Sequence, residues 1–360
     1  MPSVPPILII GVSPIVKVVV PLLRAFGFQI IHLWSPRRLT SDIINLCQDI
    51  LSIESFSCSF PSLDQLLNTA NQPYLIFICT ETDQHSSLIK RITNSSNANS
   101  FSHYIICMPP FNVDPKSLIS IQQQLCCYSY PIGFLPTYVK LKRYLNEEQI
   151  NIGEIQSIEC RVRCCSLKSS SDDRINSSLL NRFGSFVLSV IFYLFGTQQL
   201  STISHAYIQS PHETTCSFHI NYNRSLRLPP IFVNIISNSH ISSGYNQELV
   251  IITSKCALIV NDYRLILRRS NIDDQLLVDS FHSDTNEKFS RFAIENPEIP
   301  LLFIQSFYYF IGHLKESLIN QIPRSTFTEL TSFDIVHKVQ ESIVAIRESA
   351  RTGEIVPIVR

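Results

Sequence analysis

The sequence predicts two domains in one chain: an α/β half built on a parallel sheet, then an α+β half built on an open, mainly antiparallel sheet. Three observations carry that expectation. The chain has 360 residues, more than one hydrophobic core usually organises. Its first 125 residues alternate short, fully apolar runs with helical stretches, the pattern of strands covered on both faces. In the second half, several strand-like runs follow one another with no helix between them, which implies antiparallel pairing. The expected domains are 1–125 and 126–330, with a closing helix and tail over 331–360 that packs back on the first domain.

Taken in order, ILIIG (Ile7–Gly11) reads as a buried strand and VKVVVPLLRAFG as a helix stopped by Gly27. FQIIHLW is the second strand, and SDIINLCQDIL a helix capped by Ser41. SLDQLLNTA is helical, YLIFICT (Tyr74–Thr80) a strongly apolar strand, SSLIKRI helical again, and HYIICM (His103–Met108) a strand. NSSNANSFS is a polar connector. PTYVKLKRYLNEEQ then reads as an amphipathic helix, IQSIECRVRCC as a strand and SLKSSSDDRINSS (Ser166–Ser178) as a polar loop. After the apolar helix FVLSVIFYLFG come the runs STISHAYIQS, TTCSFHINYN, PPIFVNIISN, QELVIITSK and CALIVND. A second apolar helix, IPLLFIQSFYYFIG, precedes the closing helix FDIVHKVQESIVAIRESA, whose apolar positions keep helical spacing.

Composition narrows the function classes. With 29 basic and 29 acidic residues there is no electrostatic footprint for nucleic acid or an anionic membrane. The apolar helices are too short to cross a bilayer, and the N-terminus lacks the basic region and cleavage site of a secretory leader. Eleven cysteines sit largely inside apolar runs, with no CxxC and no histidine at metal-ligand spacing. They read as reduced core thiols of a cytoplasmic protein that holds no metal. No GxSxG, HExxH or P-loop is present. His205, His212, His219 and His240 lie in or beside strands and read as isolated surface or core residues. Nine glycines against twenty prolines leave few places for backbone to approach a phosphate closely.

Four segments, in order along nearly the whole chain, resemble the Gfo/Idh/MocA oxidoreductase family, and within it the animal glucose-fructose oxidoreductase domain-containing proteins. IIGVSPIVKVVVPLLRAFGFQIIHLW is similar to their first strand, dinucleotide turn, helix and second strand. ICTETDQH resembles the family's strand-four ending, with Thr80 and His85 in register. GFLPTYVKLKRYLNEEQINIGEIQSI is similar to the helix and strand that open the second domain, and TSFDIVHKVQESIVAIRESARTGEIVPI to the C-terminal helix and its Ser-x-x-Thr-Gly ending.

That resemblance implies a Rossmann-type first domain that binds NAD(P), with Gly11, Ser13, Ser35, Arg37, Arg38, Thr80 and His85 at the cofactor. The chain departs from the family's pattern at both the cofactor turn and the catalytic positions. The family's Gly-x-Gly-x-x-Gly turn reads Gly11-Val12-Ser13-Pro14-Ile15-Val16 here, so one glycine of three survives. Ser35, Arg37 and Arg38 stand where an acidic residue would take the ribose hydroxyls, which favours NADP over NAD. The Glu-Lys-Pro motif aligns with Met108, Pro109 and Pro110, and the Gly-rich catalytic segment with LLNRFGSFVLS, which offers Arg182 and Phe186 for the aspartate and histidine. No general acid or base remains at those positions, so none of the chain's residues is assigned as catalytic. A non-catalytic binding or interaction module is therefore expected. The alternative is an NAD(P)-dependent oxidoreductase of sugars or cyclitols that uses displaced residues such as Lys140, His85 or Tyr138. Apolar residues on both faces of IFVNII and ELVIIT, together with the resemblance, imply a homodimer or larger assembly through the second sheet.

Overall fold

The computed structural model describes residues 4–13, 15–36, 41–45, 55–58, 60–80, 84–98, 103–108, 126–128, 131–147, 149–165, 179–209, 214–223, 227–238, 245–270, 272–280, 301–320 and 333–358. The chain divides into two compact units, Met1–Tyr130 with Tyr308–Phe333 and Pro131–Phe307 with Asp334–Arg360.

In the first unit the described strands are β1 (Ile7–Ile10), β2 (Ile30–Ser35), β3 (Phe56–Cys58), β4 (Leu75–Ile78), β5 (Tyr104–Cys107) and β6 (Cys126–Tyr128). They form an all-parallel sheet in the order β3-β2-β1-β4-β5-β6. Every residue of β1 and β4 is buried, as expected of central strands that read as unbroken apolar runs. The chain lays two strands, β2 and β3, outward from β1, then returns to add β4 on its other side. This reversal opens a crevice at the C-terminal ends of β1 and β4, where α/β sheets bind ligands. The helices are α1 (Val16–Ala25), α2 (Ser41–Asn45), α3 (Phe60–Asn68) and α4 (His85–Ala98). Helix α1 buries Val16, Val18, Val19, Val20, Leu22 and Leu23. Its C-terminal end is finished by Gly27 at φ +77° and by Lys315, whose Nζ donates to the Phe26 carbonyl at 2.7 Å. A bidentate Arg91–Asp64 pair ties α4 to α3.

The second unit is organised by a nine-stranded sheet, counted among the described residues. Its strands are β7 (Ile155–Cys165), β8 (Leu200–Ile208), β9 (Thr215–Tyr222), β10 (Ile231–Asn238), β11 (Tyr245–Thr253), β12 (Ala257–Asn261), β13 (Arg264–Arg269), β14 (Ile272–Asp279) and β15 (Val356–Pro357). The order is β14-β13-β12-β11-β7-β10-β9-β8-β15, antiparallel throughout except where β10 meets β7. Period-2 alternation buries one face: Cys160 and Val162, Phe218 and Ile220, Val233 and Ile235, Leu249 and Ile251, Leu258 and Val260. Helices α5 (Pro136–Glu147), α6 (Gln149–Ile152) and α7 (Ser185–Phe195) belong to this unit. Nine of the eleven α7 residues are buried, so its nearly all-apolar sequence marks a core helix. A π turn over Leu180–Gly184 leads into it. Helix α8 (Leu301–Ile319) runs from the second unit into the first, and α9 (Phe333–Thr352) closes the chain.

The sequence-based element order holds, with one correction. The five strands β3, β6, β13, β14 and β15 were not anticipated. They are short, or they carry charge at their ends, as in RLILRR and IDDQLLVD, where the apolar pattern is masked. The closing segment, from Asp334 on, belongs to the second unit. Its tail extends the sheet edge: β15 pairs with β8, and the Ile358 amide donates to the Ser201 carbonyl at 3.0 Å. Arg347 on α9 also bonds Asn181 within the same unit. The polar loop at 166–178 lies outside the described residues.

Candidate functional site

Ile10, at the end of β1, stands opposite Trp34 on β2 and Ile78 on β4. Gly11, Ser35 and the pair Cys79–Thr80 therefore leave neighbouring strands at one edge of the sheet. The Ser13 amide donates to the Cys79 carbonyl at 3.3 Å, and the Nε2 of His85 lies 3.1 Å from the Thr80 carbonyl. So the structure brings Gly11, Ser13, Thr80 and His85 together and sets Ser35 at the adjoining strand end. Arg37 and Arg38 lie outside the described residues.

Gly11 has φ +110°, and a β-carbon there would stand 2.4 Å from the Cys79 carbonyl oxygen. Only glycine fits, yet the crowding comes from the chain's own fourth strand rather than from space kept for a ligand. The surviving glycine is the one the fold itself requires. Five amides around the turn, those of Gly11, Ser13, Val16, Val18 and Val19, are likewise engaged within the chain. Gly11 donates to Trp34 at 2.7 Å, Ser13 to Cys79, Val16 to Ser13 at 3.0 Å, and Val18 and Val19 both to Ile15. A pyrophosphate at a helix N-terminus needs such donors pointed outward. Val16, where a glycine would allow close approach, is fully buried, and Ile15 provides no side-chain cap. The β1 side of the crevice thus fits a pyrophosphate poorly.

The β4 side differs. Thr80 Oγ1 and Gln84 Oε1 are buried without a hydrogen-bond partner, which costs free energy unless a ligand completes them. Gln84 was not singled out in the sequence, although it adjoins His85 in ICTETDQH. His85 opens α4 fully buried. A carbonyl can only accept, so the His85 Nε2 carries the proton and donates to Thr80. Burial pushes the Cys79 thiol well up, so it is no nucleophile at neutral pH.

The remaining catalytic positions are spent on packing. Met108 is buried at the end of β5, and Pro109 and Pro110 lie outside the described residues. Phe186 packs edge-on against Phe303 at 5.6 Å. Arg182 lies on the π turn before α7, with its side chain outside the described set. Tyr138 is fully buried in the second unit: its hydroxyl accepts from Gln247 Nε2 at 3.1 Å, and burial holds its phenol well above the usual range. Lys140 places its ammonium 5.2 Å from the Tyr144 ring centre. Of the three displaced candidates, His85 belongs to the first unit, just beyond β4, and Tyr138 and Lys140 belong to the second. Among the described residues no group of three or more His, Cys, Asp or Glu side chains is placed to hold a metal.

No family model matches the chain. It is 20% identical over 98% of its length to human glucose-fructose oxidoreductase domain-containing protein 2, of which it covers 93%. Three solved structures share its fold from end to end. An oxidoreductase from Agrobacterium radiobacter in complex with NAD+, L-tartaric acid and magnesium is 14% identical, with 99% of each chain covered and a TM-score of 0.73. A putative myo-inositol dehydrogenase from Sinorhizobium meliloti is 13% identical, covering 99% of this chain and 100% of that one at a TM-score of 0.70. The super-repressor mutant of Gal80p from Saccharomyces cerevisiae is 14% identical over 98% of each chain, with a TM-score of 0.73.

Proposed function

We propose that this chain, a divergent relative of the Gfo/Idh/MocA oxidoreductases, is a non-catalytic binding and interaction module that keeps their fold without their hydride chemistry. One observation carries the reading: the turn engages its Gly11, Ser13 and Val16 amides within the chain, while the positions where the family keeps its acid–base groups hold Met108, Pro109 and Phe186. The fold is no obstacle to such a role, since function resides in grafted sites. A repressor, Gal80p, stands beside dehydrogenases among its structural neighbours.

What remains of the crevice favours weak dinucleotide binding, NADP ahead of NAD. Ser35, Arg37 and Arg38 replace the acidic ribose ligand, and Thr80 with Gln84 offers a hydroxyl and a carbonyl to a bound molecule. Assembly is proposed through the outer face of the second sheet. There Val250, Ile259, Ile266 and Leu276 are cross-strand neighbours on four successive strands, β11 to β14. The charges flanking this row are paired within the chain, Arg161 with Glu159, Arg264 with Asp279 and Arg268 with Asp274. An apolar row with neutralised borders suits a second copy of the same surface. Cys58, Cys79, Cys160 and Cys256 are free thiols, which supports a reducing, cytoplasmic setting. No described helix is long and apolar enough to cross a membrane.

The test is a steady-state assay of purified protein with NAD, NADP and a panel of sugars and cyclitols. No reduction of either dinucleotide above the blank is expected. Sustained turnover would return the chain to the enzymes, with His85 the first residue to substitute.

A further inference from the structure

Strand β8 does not pair evenly with β9. Ser204 lies opposite His219 and Tyr207 opposite Ser217, so β8 carries one extra residue across that interval. His205 occupies the bulge at φ +51°, a left-handed conformation that bulky residues adopt only where the surroundings impose it. Its ring lies against His219 of β9, with centroids 5.2 Å apart and planes at 64°. His219 alternates with the buried Phe218 and Ile220, which places it on the sheet face opposite the core. Phe232 of β10 meets its ring edge-on from the other side at 5.3 Å.

We propose that His205 and His219 form a two-imidazole site for a borderline divalent cation, zinc by preference. The placement carries the assignment: the bulge sets the His205 ring against that of His219 on the outer face of the sheet. A zinc–nitrogen bond of about 2.1 Å plus roughly 1.1 Å from nitrogen to ring centre puts each centroid about 3.2 Å from the ion, so two rings at a tetrahedral angle stand about 5.2 Å apart. The observed 5.2 Å leaves room for such an ion, a spacing that ring contacts without metal share, as His219 with Phe232 does at 5.3 Å. Neutral imidazole is the ligand form.

The surroundings leave the pair available. Ser204 and Phe232 flank His219 in register, and Ser204 Oγ accepts from Asn221 Nδ2 at 3.0 Å. Beyond Phe232, Glu159 is bound to Arg161 at 2.8 Å, so that carboxylate is already engaged. No third His, Cys, Asp or Glu joins the pair among the described residues. Water completes the coordination, which makes this an exchangeable surface site rather than a structural one. It lies across β7 from the apolar row on β11 to β14.

The experiment is calorimetric titration of the full chain with zinc chloride at about pH 7.5, where free histidine is neutral. His205→Asn and His219→Gln serve as comparators, Asn being a residue that tolerates the left-handed φ at 205. One zinc per chain with micromolar affinity is expected, weakened in each variant by at least the tenfold that losing even an outer-shell partner costs. Zinc should also raise the thermal midpoint of the wild type and leave that of the double variant unchanged. Each variant's circular dichroism in chelator verifies folding, and His205→Asn, at an exposed position, decides alone if the other fails to fold. No binding to the wild type, or equal affinity and stoichiometry in every variant, would overturn the proposal.

Discussion

A β-carbon at position 11 would press on the Cys79 carbonyl, and the backbone there takes a φ that side chains resist. Gly11→Ala should therefore cost about 2–5 kcal/mol, combining backbone strain with overpacking. Urea unfolding would show a lowered midpoint, with or without any dinucleotide. A different residue controls the response to acid. His103 is buried, stacks on Tyr74 and accepts the Tyr74 amide at Nδ1, a bond that only the neutral ring makes. Burial pushes its pKa down to about 4, and His32, held between Ser55 and Ser57, is also lowered by burial. The unfolded chain binds these protons first, near the ordinary value of about 6.5, so stability falls as pH drops from there toward 4. Unfolding midpoints measured across that window should show the fall, and His103→Asn, which keeps an acceptor but does not titrate, should flatten it.

Elements with a strong period were readable from the sequence, and those without one were not. The unbroken apolar runs of β1 and β4 and the helical spacing of α9 set their own boundaries. β13 and β14 escaped because edge strands carry charge against solvent, and their arginines and aspartates hide the alternation. The site divides in the same way. Gly11, Thr80 and His85 were named from the family resemblance, and the structure sets them just beyond β1 and β4. That the Ser13 amide is consumed by Cys79 is backbone geometry, which no side chain announces. Gln247 is a third case: a polar residue at an inward position of β11, fully buried, its amide shared between Tyr138 and Tyr245. Tyr138→Phe leaves the Gln247 amide nitrogen without that acceptor and should cost about 1–3 kcal/mol by chemical denaturation.

At the scale of the whole molecule, the chain keeps the frame of the Gfo/Idh/MocA oxidoreductases, and Met108 and Phe186 are buried in packing. Its other exposed resource is the outer face of the second sheet. Light scattering should report a dimer or larger assembly, and Val250→Glu with Ile259→Lys, both on that face, should shift it to the monomer mass without unfolding. The turn after β1 engages its Gly11, Ser13 and Val16 amides within the chain, which leaves a dinucleotide fewer donors. Calorimetric titration with NAD, NADH, NADP and NADPH tests it most directly. Binding no tighter than about millimolar, a free energy near −4 kcal/mol, is predicted, with the NADP forms ahead. Saturable micromolar binding of any of the four would contradict it.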